Sequence, residues 1–450
     1  MRFDSVAIRL ALFVFAGFAP LAAAQAAENN WANWRGPNYD GSLEGANPPL
    51  EWTDTQNIRW KVPVPGRGSG SPIVWDGQII LLTAVDTGTT PADAPVEVPS
   101  TEPAGAPGGG GGRGNSPAPT NEFEFIVLSY SLADGSELWR TTVNRAVPNE
   151  GGHQTNTFAS ASAVTDGKRI YANFGSHGTY CLDMQGKVIW GKDLGDMRTR
   201  NSFGEGASPA LVGETLIVPW DQEENSVLFA LNTSDGEIRW QQPREEVTTW
   251  ATPLPVEFEG RTQIVTNGTQ VRSYDLESGE LLWSCGGQVT NPIPSPVRID
   301  DFVICMTGYR GNAIYAMPLD AKGDISDSPQ IRWSNRDAAP YVASPTVYKG
   351  QLYFTKERSG AVSSIDARTG QVLIPPTRLT EIRDIYASPV AAADKIYFTS
   401  RDGVTTVIRH GATLEELAVN KLGEPVDASP ALVGDQILIR AAEHLYCVGE

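Results

Sequence analysis

Short apolar strands separated by turns recur along the chain at a regular spacing. Each repeat begins with a small residue and Ser-Pro or a close variant, and an apolar strand follows, as in Ser71-Pro72 before Ile79–Leu82 and Ser344-Pro345 before Leu352–Phe354. From position 163 the phrase returns at 209, 253, 296, 345, 389 and 430, at intervals of 41 to 49 residues. A fixed period of this length indicates a repeat architecture.

The second half of each repeat is an apolar strand, a turn that contains Gly or Asp-Gly, and a strand that ends in Trp. Ser129–Leu132 before Leu138-Trp139 and Tyr180–Leu182 before Ile189-Trp190 are two examples. Short strands joined by such turns pair as antiparallel hairpins. Each period therefore predicts a four-stranded antiparallel unit, which is typical of a propeller blade.

The two ends of the chain complement each other. The eighth repeat stops at Leu445–Val448, its third strand, whereas Asn57–Pro63 has the pattern of a fourth strand and stands before the first Ser-Pro. We expect this N-terminal strand to complete the last blade, because a closed ring leaves no open sheet edge. The sequence therefore predicts an all-β, eight-bladed β-propeller of four-stranded antiparallel blades at residues 57–450.

The first residues have the pattern of a secretory signal. Arg2 and Arg9 lie near an apolar run from Leu10 to Ala24 that ends in small residues. The run is too short for a membrane span, and no Cys follows it that could carry a lipid. We expect a signal peptide at residues 1–24 and a mature chain that is periplasmic or secreted, with no membrane span and no lipid anchor.

Two further segments stand apart from the repeats. Residues 25–56 include Trp31, Trp34 and Arg35 in a stretch of low regularity, which predicts an N-terminal strap held on the propeller by aromatic burial. Alternatively, Trp34 and Arg35 reach into the mouth of the channel. Residues 87–121 are rich in Pro, Gly, Ala and Thr and cannot bury a core, so we expect a disordered insertion in the first blade.

Charge and cysteine content narrow the possible functions. The formal net charge of −18 is spread along the chain, which disfavours nucleic acid and anionic membranes as partners. Cys181, Cys285, Cys305 and Cys447 are far apart, and we expect buried free thiols, with a Cys285–Cys305 disulfide as the alternative that export allows. No motif predicts a metal site or a catalytic nucleophile.

The connections between blades provide the candidate ligand site. In a propeller they meet at one end of the central channel, because each leads to the innermost strand of the next blade. A concave channel mouth is the default place for a ligand, and the alternative is that the polar residues only cap strands and satisfy loop backbone. The predicted ligand-binding residues are His153, Asn156, Arg200, Glu205, Trp250, Asn291, Tyr341, Tyr386 and Asp427.

The repeats resemble those of the pyrroloquinoline-quinone-like (PQQ-like) propeller superfamily, whose Gly-x-x-x-Trp ending is seen in Ser278–Trp283. Asn33–Pro37, Val64–Gly68 and Asp402–Thr406 are similar to a branch of exported propeller proteins common in planctomycete-type bacteria. The resemblance covers the chain from Asn57 onward and implies two models of function.

In the first model, that of the quinoprotein alcohol dehydrogenases, the resemblance implies PQQ and calcium in the channel, an Asp as base, and a disulfide between adjacent cysteines. No two cysteines are adjacent here, and no Cys-x-x-Cys-His for covalent haem occurs. The second model is the outer-membrane assembly scaffold, a protein-binding propeller that is normally a lipoprotein.

We therefore favour an exported, non-catalytic scaffold that binds cell-envelope proteins or a small ligand and needs no cofactor. The alternative is a PQQ- and calcium-dependent oxidoreductase that acts on alcohols or sugars.

Overall fold

The computed structural model describes residues 30–92 and 115–450, so the predicted signal peptide at residues 1–24 lies outside the described residues. Almost all regular structure in this part is β. Its two helical segments are single 3-10 turns, Gly175–His177 and Arg200–Ser202. A long apolar helix of the kind that crosses a membrane is absent from these two ranges.

Eight four-stranded antiparallel blades form a ring, which confirms the predicted eight-bladed propeller. Within a blade the strands follow one another from the channel outward. Blade 1 consists of Ile73–Trp75, Gln78–Asp86, Phe123–Ser131 and Glu137–Ala146; blade 2 of Val164–Thr165, Arg169–Asn173, Thr179–Asp183 and Val188–Lys192; blade 3 of Ala210–Val212, Thr215–Trp220, Ser226–Asn232 and Ile238–Arg244; and blade 4 of Leu254–Phe258, Arg261–Thr266, Val271–Asp275 and Leu281–Cys285.

The second half of the ring repeats this plan. Blade 5 consists of Val297–Ile299, Phe302–Thr307, Ala313–Pro318 and Trp333–Asn335; blade 6 of Thr346–Tyr348, Gln351–Thr355, Ala361–Asp366 and Val372–Arg378; blade 7 of Val390–Ala392, Lys395–Thr399, Val404–Arg409 and Glu416–Lys421; and blade 8 of Ala431–Val433, Gln436–Arg440, His444–Val448 and Ile58–Pro63. One extra strand, Gly323–Asp324, pairs in parallel with the outer strand of blade 4.

The N-terminal strand closes the ring, as the unfinished eighth repeat predicts. Ile58–Pro63 pairs antiparallel with His444–Val448, with Trp60 opposite Cys447 and Lys61 opposite Tyr446. The last blade therefore contains strands from both ends of the chain.

Tryptophans in the outermost strands hold neighbouring blades together. Trp240 of blade 3 donates its indole N–H to the carbonyl of Leu276 in blade 4 at 2.8 Å. Its ring lies so close to Gly279 that a Cβ there would meet it at 2.8 Å, and Gly279 has φ +72°. We call this contact the Trp lock. The same lock is made with the following blade by Trp60, Trp139, Trp190 and Trp333.

Three junctions depart from this pattern. In blade 3, Trp240 comes directly after a β-bulge in the outermost strand. The outermost strands of blades 6 and 7 have the same bulge, and the residues that follow it there are Ile374 and Ala418. In blade 4, the fully buried Trp283 donates to Gln263 of its own blade at 3.2 Å. The junctions between blades 4 and 5, between blades 6 and 7 and between blades 7 and 8 therefore have no Trp lock.

The N-terminal strap, of which residues 30–56 are described, crosses the channel. It begins at blade 1, where Trp31 pairs with Val74. On the other side of the channel, the buried Arg35 donates to the carbonyls of Pro345 in blade 6 and Pro389 in blade 7, each at 2.7 Å. The strap therefore joins blades 6 and 7, which share no Trp lock.

Farther along, the strap joins blades 7 and 8. The backbone N–H of Trp52 donates to Asn420 of blade 7 at 2.8 Å, and that of Asn47 donates to Asp435 beside blade 8 at 3.2 Å. The buried ring of Trp52 stacks near Tyr397 with 6.3 Å between ring centroids. The strap thus supports two of the three junctions that lack a Trp lock.

The structure describes residues 87–92 and 115–121 of the predicted insertion. Asn115–Ser116 pairs antiparallel with Gly152–His153, in the connection between blades 1 and 2. At this point the connection between blades 1 and 2 offers the end of the insertion backbone partners, and the disordered loop remains a prediction. The rest of that prediction falls on residues outside the described ranges.

All four cysteines are free and buried, in agreement with the expected buried thiols. Cys285 and Cys305 lie in one apolar cluster between blades 4 and 5. Burial raises the pKa of Cys285 to about 11, so this thiol stays protonated and inert at neutral pH.

Candidate functional site

A ring of Ser and Thr side chains surrounds the channel where the innermost strands begin. The backbone N–H of Ser162 donates to Ser208 Oγ of the next blade at 2.9 Å, and the pattern continues from blade to blade. Seven such bonds of 2.8–3.2 Å connect Ser71, Ser162, Ser208, Thr252, Ser295, Ser344, Ser388 and Ser429. The repeated Ser of the Ser-Pro phrase therefore links blades, and this role is structural.

The hydrogen-bonded ring is open at one place. The buried Oγ of Ser71 has no hydrogen-bond partner among the residues that the structure describes. This gap lies between blades 8 and 1, where the N-terminal strand closes the propeller.

A cavity of about 1130 Å³ lies at the channel mouth. In each repeat, the connection that forms part of the mouth comes before the Ser or Thr of the ring. Pro345 and Pro389, whose carbonyls bind the strap, come directly after their ring residues. Because all innermost strands run in the same direction, the strap lies on the far side of the ring from the mouth. Trp34 of the strap lines the cavity and so forms its floor, while Arg35 is buried in the strap's anchorage.

Six of the nine predicted residues line this cavity. They are His153, Asn156, Trp250, Tyr341, Tyr386 and Asp427. The connections therefore bring these side chains together at one end of the channel, as the order of the blades predicts.

The other three predicted residues do not face the cavity. The backbone N–H of Arg200 donates to Thr248 at 2.8 Å, and Asn291 is buried beside Tyr341. Glu205 lines a separate, smaller cavity between blades 2 and 3.

Glu205 is a carboxyl group held by the neighbouring blade. It accepts hydrogen bonds from the backbone N–H of Ser176 at 2.9 Å and from the Ser176 hydroxyl. Burial nevertheless raises the pKa of Glu205 to about 7, because the hydrogen bonds only partly offset the loss of solvation. In the same small cavity, burial lowers the pKa of His177 to about 4, which leaves that imidazole neutral.

One wall of the large cavity, from blades 5 and 6, is formed by stacked rings. Tyr309 and Tyr341 stack with 4.7 Å between ring centroids and 25° between ring planes. The guanidinium of Arg310 lies 5.2 Å from the centroid of Tyr309. Arg310 has no carboxylate partner in the described ranges and is exposed, so it is available to a ligand.

Beside this stack, Tyr386 lies between two guanidinium groups. Arg401 is 4.3 Å and Arg358 is 5.6 Å from its ring centroid. Arg358 also donates to the Tyr386 hydroxyl at 2.8 Å. These contacts fix the tyrosine ring in place while it remains partly exposed to the cavity.

Ion pairs fix the same wall. Arg401 Nε lies 2.6 Å from Asp427 Oδ1, and Arg401 Nη1 lies 3.5 Å from Asp384 Oδ2. The hydrogen bond that Arg401 donates to Asp427 raises the pKa of Arg401 despite partial burial. Asp384 also lies 3.7 Å from Arg358 Nε. The wall is thus an alternation of carboxylates, guanidinium groups and aromatic rings.

The opposite wall, from blades 2 to 4, is aromatic with one imidazole. Nδ1 of His153 is 2.7 Å from the Thr155 hydroxyl, and the imidazole packs edge to face on Phe203. Trp250 donates its indole N–H to the carbonyl of Gly204 at 2.8 Å. Partial burial lowers the pKa of His153, and the charges of Arg358 and Arg401 lower it further, so the imidazole is neutral at pH 7.

The sequence reasoning missed several residues of the site. Tyr309, Arg310, Glu357 and Arg358 line the cavity but lie in the turns between the second and third strands of blades 5 and 6. The second strand returns toward the mouth, so these turns lie at the same end as the blade connections. The alternation of strand direction could have identified them.

The site does not fit a calcium-bound quinone. In the described ranges, no three His, Cys, Asp or Glu side chains converge so that they could hold a metal ion. Asp384 and Asp427 are already paired with Arg401, whose charge opposes a second cation. No two of the four cysteines form a disulfide. No reaction step through that cofactor is derived for this chain.

The blade plan defines the chain as an eight-bladed β-propeller, and a family model of PQQ-like repeats matches it. More particularly, the family model of the outer membrane protein assembly factor BamB matches residues 124–374, which is more than half of the chain. The chain therefore belongs to this family. No curated protein sequence matches it.

Solved structures of two kinds share the fold. BamB from Moraxella catarrhalis is 13% identical, with a TM-score of 0.53, over 72% of this chain and 91% of that one. Quinohemoprotein alcohol dehydrogenase from Comamonas testosteroni is 9% identical, with a TM-score of 0.63, over 95% and 82%. A europium-containing methanol dehydrogenase is 10% identical, with a TM-score of 0.63, over 94% and 92%. At these identities the likeness concerns the fold alone.

Proposed function

We propose that this chain is a non-catalytic binding module of the cell envelope and that it holds its ligand in the channel cavity. The observation that carries the proposal is the cavity itself, about 1130 Å³ in volume, with partly exposed aromatic rings along its walls and with Arg310, which has no carboxylate partner in the described ranges. Sites for drug-sized ligands occupy about 300–1,000 Å³. The cavity thus has room for a large ligand or for an inserted segment of a partner.

The polar groups of the cavity suit binding better than catalysis. Asp384 and Asp427 are neutralised by Arg401, and the Ser/Thr hydroxyls of the ring accept hydrogen bonds from neighbouring blades. The neutral His153 is engaged with Thr155. A fixed set of satisfied groups around exposed rings is what a preorganised binding surface requires. Membership of the BamB family supports a role in binding.

We further propose that the mature chain is exported to the periplasm or secreted. The proposal depends on the basic and apolar pattern of residues 1–24. N-terminal sequencing of the protein from fractionated cells should give a start near Gln25 and should find the chain outside the cytoplasm. An intact N-terminus in the cytoplasmic fraction would contradict the proposal.

The first test separates binding from quinone-dependent oxidation. Purified mature protein is titrated with PQQ and calcium, followed by absorbance and by the melting temperature, and then supplied with alcohols or sugars and an artificial electron acceptor. We expect no saturable quinone uptake, no rise in melting temperature and no turnover. Calcium-dependent uptake together with dye reduction would establish an oxidoreductase instead.

The second test asks whether the cavity contacts a ligand in the cell. A photoreactive amino acid replaces Tyr341 in the cavity wall, and a control variant carries it at Leu138, which is 51% exposed in the outermost strand of blade 1. We expect a defined adduct only at position 341. Adducts of equal yield and identity at both positions would show that the cavity is not the binding site.

A further inference from the structure

We propose that the ligand of the channel cavity is an uncharged carbohydrate chain. This inference rests on the proposed binding function and names the class of ligand.

The apolar surface of the cavity is aromatic. Six aromatic residues line it, whereas Ile293 and Val342 are the two aliphatic residues among its described lining. The six are Trp34, Phe203, Trp250, Tyr309, Tyr341 and Tyr386. Promiscuous sites for apolar peptide segments often use adaptable Met side chains, and the described lining contains no Met. Flat rings instead suit the flat C–H faces of sugar rings.

The polar surface of the cavity alternates groups that only accept hydrogen bonds with groups that only donate them. The carboxylates of Asp384 and Asp427 are acceptors, and the guanidinium of Arg358 is a donor. Their ion pairs and the contacts with Tyr386 fix their positions. A sugar hydroxyl donates and accepts at once, so a carboxylate and a guanidinium side by side satisfy it completely.

The charges of the cavity nearly balance. Arg310, Arg358 and Arg383 line it and Arg401 packs on its Tyr386, against the three carboxylates Glu357, Asp384 and Asp427. A binding site for a phosphate or an acidic glycan would show an excess of positive charge. The excess in this cavity is a single positive charge, in a chain whose net charge is −18. This near balance favours an uncharged ligand.

The arrangement of the rings suits a chain of several sugars. The Tyr309–Tyr341 stack and Tyr386 stand on the wall from blades 5 to 7, Trp250 stands on the opposite wall, and Trp34 forms the floor. The volume of about 1130 Å³ exceeds that of a typical drug-sized site. Rings on two walls and a floor can therefore contact successive sugar units.

The test uses the purified mature chain on an array of neutral hexasaccharides built from glucose, galactose, mannose or xylose, followed by calorimetric titration of those that bind. We expect at least one to bind. Trp250→Ala and Tyr341→Ala should each weaken it by about tenfold or more, which corresponds to about 1.4 kcal/mol. Tyr341→Phe, which keeps the stack on Tyr309, should bind within about threefold of wild type, a difference below about 1 kcal/mol.

A matched pair of arginines controls for nonspecific effects. Arg310 lies over Tyr309 in the cavity, and Arg336 lies over Tyr315 outside it, 5.6 Å from the ring centroid. Arg310→Ala should weaken saccharide binding, and Arg336→Ala should leave it unchanged. Melting temperatures of all variants confirm that the propeller is intact.

The remaining outcomes distinguish the two proposals. Binding restricted to acidic saccharides would overturn the inference, because the charge balance would then have been misjudged. If no saccharide binds, but peptides from an immobilised library bind and are lost in Trp250→Ala and Tyr341→Ala, the carbohydrate inference fails and the proposed binding function stands. If neither class binds, both proposals fail.

Discussion

Seven of the eight junctions between blades are held by one of two means, and the junction between blades 4 and 5 has neither. At five junctions, from blade 8 through to blade 4 and between blades 5 and 6, a tryptophan such as Trp240 lies on a glycine of the next blade and donates to its carbonyl. At the junctions on either side of blade 7, the strap does this work through Arg35 and Trp52. The first device is local and repeated, whereas the second depends on contacts more than 300 residues apart in the chain.

The difference also concerns the indole groups themselves. Each Trp lock satisfies its indole N–H with a carbonyl, as Trp190 does with Thr233 at 2.9 Å. The strap residues Trp31 and Trp52 are almost fully buried, and their indole N–H groups have no hydrogen-bond partner within the described ranges. The strap therefore gains from burial and from Arg35, and the locks gain from burial plus a hydrogen bond. Trp34 of the strap also forms the cavity floor. The strap therefore contributes both to the stability of the propeller around blade 7 and to the shape of the binding site.

The largest expected effect comes from removing a Trp lock. Trp240→Ala should lower the free energy of unfolding by about 3 kcal/mol, since it removes a large packed ring and leaves the Leu276 carbonyl without its donor. Trp34→Ala, which removes a cavity-floor ring that makes no lock, should cost less than about 1 kcal/mol. Chemical denaturation of both variants checks the difference, and equal losses of unfolding free energy would show that the Trp lock adds no stability beyond that of a tryptophan without one.

The glycine beneath the lock offers a matched pair. Gly279 and Gly260 have similar backbones, with φ +72° and +75°, but an added Cβ meets Trp240 only at Gly279 and nothing within 4 Å at Gly260. Gly260→Ala should cost about 1 kcal/mol for its backbone alone. Gly279→Ala should cost about 1 to 3 kcal/mol more, because the tryptophan must move. If both variants unfold at the same denaturant concentration, the lock does not require glycine.

A pH dependence should appear in the Trp-locked part of the ring. The pKa of Glu205 is about 7 in the folded protein and near 4.5 when unfolded, so the folded state binds more protons between these values. Its contribution to stability is present below about pH 4.5 and is lost as the pH rises through 7. Glu205→Gln should therefore stabilise the protein at pH 8 relative to its effect at pH 5. Melting temperatures at the two pH values check this, and a constant offset would contradict it.

The smallest expected effect comes from the Ser/Thr ring, which both parts share. Ser388→Ala removes the acceptor of the Ser344 N–H and should cost about 1 kcal/mol. Ser71→Ala removes a buried hydroxyl that has no partner in the described ranges and should be neutral or slightly stabilising. Unfolding midpoints of the two variants compare them directly. A loss at Ser71 equal to that at Ser388 would show that the ring is closed in solution.

Most of the fold could be predicted from the sequence, because the information is local and repeated. Each blade carries its own strands, turns and Ser-Pro, and the unfinished eighth repeat with the strand at Ile58–Pro63 indicates how the ring closes. The strap's path was harder to foresee. Arg35 binds carbonyls of two prolines in distant blades, and no periodicity marks a single residue of this kind.

Part of the candidate site could be predicted because the connections between blades recur at the same place in every repeat. The blade order correctly brought residues such as His153 and Tyr386 to one cavity. It did not show that Glu205 turns toward Ser176, because a side-chain direction depends on packing with the neighbouring blade. Arg310 and Arg358 were missed because they lie in turns within blades rather than between them.

Hydrogen–deuterium exchange of the folded protein tests most directly whether the strap replaces the Trp locks around blade 7. We predict that Arg35→Ala accelerates exchange in Thr346–Tyr348 and Val390–Ala392, the innermost strands of blades 6 and 7, and leaves Ala210–Val212 of blade 3 unchanged. Trp240→Ala should do the reverse. Uniform acceleration in both variants, or none at blades 6 and 7 in Arg35→Ala, would contradict the account.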